Sequence, residues 1–146
     1  MSDVDLDGFL EHVRRGAVIE GGSAEHAFLH RTGQDALRVL AELNTGYRTP
    51  EEVRALLARL TGRPVDESVT VFPPFFCEFG KNLTLGRDVF INMGCTFQDA
   101  GGIAIGDGTL IGHGTTVVTN DVPANAIVAG VPAKLIRPTG FDASAS

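Results

Sequence analysis

From Phe79 onward the chain repeats itself every six residues, and this period constrains the fold more than any other feature. Phe79, Leu85, Ile91, Phe97, Ile105, Ile111 and Val117 fall in step, with one eight-residue interval between 97 and 105 around Ala100-Gly101-Gly102. Two places before each stands a second small or apolar residue: Cys77, Leu83, Val89, Cys95, Ile103, Thr109 and Thr115. Glycine follows the aliphatic position at 80, 86, 106 and 112. Hexapeptide periodicity is the mark of a parallel β-helix. Each unit supplies a short strand whose two apolar residues face inward and a turn whose glycine relieves the corner. Three units close one coil of about eighteen residues, so residues eighteen apart are expected to stack at the strand spacing of about 4.8 Å. On that count Cys77 and Cys95 occupy adjacent layers, near enough for a bridge. A cytoplasmic setting instead predicts two small buried thiols.

The residues before this repeat read as helices. Leu6, Phe9, Leu10 and Val13 recur at helical spacing, and glycines at 16, 21 and 22 end that element. From Ser23 a longer helix carries Ala24, Phe28, Ala36, Leu37, Leu40 and Leu43, with Gly33 a weak point inside it. A third opens with Thr49 as cap, Pro50 at the first position and Glu52 three residues after the cap. Its apolar face is Val53, Leu56, Leu57 and Leu60, and Gly62 and Pro64 stop it. The expected organisation is therefore a helical region over 1–66 and a repeat region with its closing cap over 67–146. The fold class is mainly β with N-terminal α-helices.

A net charge of −6 with 12 Lys and Arg spread thinly argues against a nucleic-acid partner, which needs a clustered basic face. No apolar run approaches the roughly 20 residues of a membrane span, and the acidic start is unlike a leader, so a soluble cytoplasmic protein is expected. His26 and His30 share a helix face at ligand spacing, but no third ligand lies nearby, and no metal is expected.

Two stretches carry a resemblance: FPPFFCEFGKNLTLGRDVFINMGCTFQDAGGIAIGDGTLIG and the closing TNDVPANAIVAGVPAKLIR. Together they resemble the maltose/galactoside O-acetyltransferase family, hexapeptide-repeat acyltransferases that use acetyl-CoA. The resemblance implies a short left-handed parallel β-helix of about two to three coils, exceptional in its hand. It also implies a homotrimer in which a sugar hydroxyl and the CoA thioester meet between subunits. By position, Asn92, Asp99 and Glu78 would contact the acceptor, and an amide and carboxylates suit sugar hydroxyls. Thr119 and Arg137, with Lys134, would contact CoA, where a cation meets phosphate. Relatives often carry lysine where Asn120 stands, so one charge is missing.

The family continues from a segment like IGDGTLIGH into a loop bearing an essential histidine and further coils. Here Gly114 leads straight into the closing segment. A sugar hydroxyl needs a positioned general base to attack a thioester, worth about 10² to 10⁴ in rate. His113 is the sole histidine in the repeat region and occupies a turn. The step from Ile111 to Val117 keeps phase across the join, so the coils can still stack. Two functions follow: an acetyl-CoA-dependent O-acetyltransferase of a sugar or similar hydroxyl acceptor, or a shortened, catalytically inactive trimeric scaffold without the general base.

Overall fold

The computed structural model describes residues 3–118 and 120–140. Three helices come first: α1 (Leu6–Arg14), α2 (Ala24–Leu43) and α3 (Pro50–Thr61). Each begins where a side-chain oxygen accepts an orphan backbone N–H. Asp5 takes the N–H of Gly8, Ser23 that of His26 and Thr49 that of Glu52. Gly62 closes α3 in the left-handed region at φ 72°. α2 runs unbroken through Gly33, because that glycine is where the helix backbone meets the repeat region. A Cβ there would lie 3.1 Å from the carbonyl oxygen of Glu78.

Among the described residues ten short strands follow: β1 (Thr70–Val71), β2 (Phe75–Cys77), β3 (Leu83–Leu85), β4 (Phe90–Ile91), β5 (Cys95–Phe97), β6 (Ile103–Ile105), β7 (Leu110–Ile111), β8 (Thr116–Val117), β9 (Ala126–Ala129) and β10 (Lys134–Pro138). They form three parallel ladders, β1-β4-β7-β9, β2-β5-β8 and β3-β6, with β10 added antiparallel to β9. This is a parallel solenoid with three faces. The first corner joins the faces at residues 72–74, 92–94 and 112–114. The second lies at 78–82 and 98–102, and the third at 86–89, 106–109 and 123–125.

The coil is twenty residues long, which corrects the eighteen-residue stacking read from the sequence. Thr70 pairs with Phe90, Phe75 with Cys95, Leu83 with Ile103 and Phe90 with Leu110. The eight-residue interval seen between 97 and 105 recurs one coil earlier between Cys77 and Leu85, because Cys77 and not Phe79 pairs with Phe97. Phe79 belongs to the second corner. The two cysteines are consequently out of register: Cys95 lies over Phe75, and both thiols are free and buried. The next turn of the solenoid is shorter. Ile127 pairs with Leu110 seventeen residues on, and the three residues are lost at the second corner, where Val122 bridges Ile105.

Inward columns fill the prism: Val71, Ile91, Ile111 and Val128 in one, Cys77, Phe97 and Val117 in another, all buried. The same core continues into Ala36, Leu40, Leu43, Val53, Leu57 and Leu60 of the helices. The open lower edge of the first coil is covered by α2 against β2 and by α3 against β1. Asn44, at the C-terminus of α2, acts as a false strand: its Nδ2 donates to the Phe75 carbonyl and its Oδ1 accepts the Phe75 N–H, each at 2.9 Å.

Candidate functional site at two corners of the prism

The second corner is built around a buried carboxylate. Asp99 has no exposed surface. Its Oδ1 accepts the Phe79 N–H at 2.9 Å and its Oδ2 the Asn82 N–H at 3.3 Å. Burial raises its pKa above the usual carboxylate range, while backbone N–H donors at Gly80, Phe79 and Asn82 pull it back. Glu78 stands on the same corner, exposed, with Oε1 accepting the Ala100 N–H at 3.1 Å. Asp99 thus holds the turn in one coil while Glu78 reaches the turn of the next. Lys81 ties this corner to α3 by donating to the carbonyls of Arg59 and Leu60 at 2.8 and 2.9 Å.

Asn92 lies elsewhere, on the first corner. It is half-buried and its Oδ1 accepts the N–H of Met93 at 2.8 Å. The N–H of Gly114 donates to the Met93 carbonyl at 2.9 Å, which seats the His113 turn directly on the Met93 turn. His113 is exposed. The structure therefore groups Asn92 with His113 and Glu78 with Asp99, and a single prism does not bring the two groups to one point. The pairing of Met93 with His113 was hidden in the sequence, because it depends on the twenty-residue coil.

Lys134 and Arg137 are both exposed on β10, at the outer edge of the five-stranded sheet. Thr119 lies outside the described residues. Among the described residues no group of three or more His, Cys, Asp or Glu could hold a metal ion, and no helix is long and apolar enough to cross a membrane. His26 instead accepts the Gly22 N–H through Nδ1 at 3.2 Å.

Parallel coils with glycine-relieved corners, closed by an antiparallel strand, define a hexapeptide-repeat β-helix. No family profile matches the chain. Over 137 aligned positions it is 31% identical to a Staphylococcus haemolyticus protein designated an acetyltransferase, covering 58% of this chain and 71% of that one. Over 81 residues it is 37% identical to the galactoside O-acetyltransferase of Escherichia coli K12, covering 53% of this chain and 36% of that one. A solved structure of a hexapeptide-repeat acetyltransferase from Vibrio cholerae, complexed with acetyl coenzyme A, shares the fold at TM-score 0.50 and 24% identity, over 91% of this chain and 99% of that one. The chain belongs to the maltose/galactoside O-acetyltransferase family of hexapeptide-repeat proteins. It spans about a third of the length of the Escherichia coli relative. The staphylococcal alignment needs 137 positions to take in 58% of 146 residues, so that relative carries several dozen residues without a counterpart here.

Proposed function

We propose that the chain is an acetyl-CoA-dependent O-acetyltransferase acting on the hydroxyl of a sugar or similar small acceptor, as a homotrimer of short left-handed prisms. The observation that carries this reading is the seating of the His113 turn on the turn that bears Asn92 and Met93. It puts a residue able to take a proton and one whose amide suits a hydroxyl on the same corner of adjacent coils. In this reading His113 takes the hydroxyl proton as the acceptor oxygen attacks the thioester carbonyl. The carbon–sulfur bond then breaks and the CoA sulfur leaves with a proton. Glu78, on its Asp99-held corner, would reach the same acceptor from a neighbouring subunit. Lys134 and Arg137, with Thr119, would meet the CoA phosphates.

A second reading, an inactive trimeric scaffold, is favoured by one observation. Among the described residues no side-chain hydrogen bond holds the His113 ring, whereas a general base is ordinarily oriented by a third group.

The deciding experiment follows acetyl-CoA consumption as thiol release over a panel of sugars and glycosides, with His113→Ala alongside. Acceptor-dependent release that falls at least about 100-fold in the variant supports catalysis through His113. No release from a chain shown by sedimentation to be trimeric leaves the scaffold.

A further inference from the structure

A groove of about 440 Å³ lies between the α2–α3 connection, the first turns of α3 and the edge of the first coil. That size is within the range of small-ligand sites. Its walls are Tyr47, Pro50, Val53, Val71, Phe72 and Met93. Val53 and Val71 form a buried base, while Tyr47, Phe72 and Met93 stand 85, 46 and 51% exposed around it. The helical side of the frame is tied down. Asn44 fixes the start of the connection to Phe75, Thr49 caps α3, and the Arg54 Nη1 donates to the Val69 carbonyl at 3.3 Å.

We propose that this groove binds a neutral aliphatic substituent of the hydroxyl acceptor, such as a short alkyl chain. Neutrality follows from the two arginines on the rim, each of which already donates to a backbone carbonyl and faces a carboxylate that offsets its charge. Arg48 donates through Nε to the Glu42 carbonyl and faces Glu52 at 3.8 Å, and Arg54 is held by Val69 and faces Glu51 at 3.7 Å. Attachment to an acceptor follows from Met93. It walls the groove, gives its N–H to Asn92 and carries the His113 turn on its carbonyl. A chain lying in the groove would leave its hydroxyl-bearing end at the first corner. The groove assignment stands on geometry alone; calling its occupant an acceptor rests on the acetyl-transfer reading.

The molecule carries its own reporter. Tyr47 is the one tyrosine and there is no tryptophan, so tyrosine emission reads this groove. The test titrates the full chain with hexyl β-D-glucoside and with methyl β-D-glucoside, following that emission. The expected result is a saturable change with hexyl binding at least about tenfold tighter than methyl, since each buried methylene adds affinity. Met93→Glu, a change at an exposed side chain, abolishes the response. Ile136→Glu, which alters an exposed apolar residue on β10, leaves it intact. Equal affinity for the two glucosides, no saturable change, or a hexyl response that survives Met93→Glu would overturn the proposal. Thiol release from acetyl-CoA, measured with the same glucosides, separates the two claims. A Met93-dependent hexyl response without release from either glucoside removes the acetyl-transfer reading and leaves the groove assigned.

Discussion

The N–H of Phe79 points at Oδ1 of Asp99, 2.9 Å away across adjacent coils, in a place where Asp99 has no contact with solvent. The geometry makes Asp99 a brace for the corner that carries Glu78. It also sets the direction of a pH effect. The folded pKa is raised above the unfolded value of about 4, so the folded chain holds this proton where the unfolded chain has released it. Stability then falls as pH rises from about 4 through the folded pKa, and levels off above it. Asp99→Asn removes the titration. Denaturant melts of both proteins across that range should show the wild-type advantage shrinking with rising pH; an advantage that grows would contradict the assignment.

Gly80 follows Phe79 at φ 84°, and a Cβ there would sit 2.9 Å from the Leu60 carbonyl oxygen. Both the left-handed backbone and the closeness of α3 exclude a side chain. Gly80→Ala should cost about 1–3 kcal/mol in a urea melt. Gly62→Ala is the comparison: it shares the positive φ but would meet only the flexible Lys81 side chain at 3.6 Å, so it should cost less.

The thiols should be inert. Burial drives the Cys77 thiol above its ordinary range, with the nearby Asp99 charge adding to it, and burial also raises that of Cys95. Cys95 donates its S–H to the Gly112 carbonyl at 3.1 Å. Neither thiol should react with Ellman's reagent at pH 8 in the native chain, and both should react in guanidinium. Because Cys77 lies over no cysteine, an oxidant should leave a non-reducing gel unchanged.

Much of this architecture was legible in the residues. Thr49-Pro50 and Gly62 bound α3 by local chemistry alone, and the apolar pairs Ile103/Ile105 and Cys95/Phe97 point inward as alternation requires. The coil length was not legible, because Phe79 fits the six-residue phase as well as Cys77 does. Only the long-range contact of Phe79 with the helices decides between them. Gly33 likewise looked like a weakness in α2 until the Glu78 carbonyl was found against it. The candidate site was legible as residue types but not as a place. Asn92 and Asp99 are seven residues apart in sequence, yet a turn of the chain puts them on different corners.

Asn44 offers a direct test of how the first coil is terminated. Its carboxamide makes both hydrogen bonds that a strand beneath β2 would make. Asn44→Ala leaves the Phe75 N–H and carbonyl without those partners, at a cost of about 1–3 kcal/mol. Asn44→Asp keeps an acceptor for the N–H but sets a carboxylate against the Phe75 carbonyl, so it should rescue nothing above the carboxylate pKa. Thermal melts at neutral pH should rank wild type well above both.

Phe79 owes its place outside the repeat to α1. Its ring stacks on Phe9 with centroids 4.9 Å apart, Phe28 lies 5.3 Å from Phe9, and Phe9 is fully buried. A nine-residue helix does not persist in water by itself, so α1 exists through this contact. Phe9→Ala should therefore cost about 3–5 kcal/mol and release α1 before the rest of the fold. Amide exchange would show Leu10 to Val13 losing protection at denaturant concentrations where β5 and β6 keep theirs. If instead all elements lose protection together, the helix and the prism form one cooperative unit, and Phe9 is part of the main core rather than a clasp upon it.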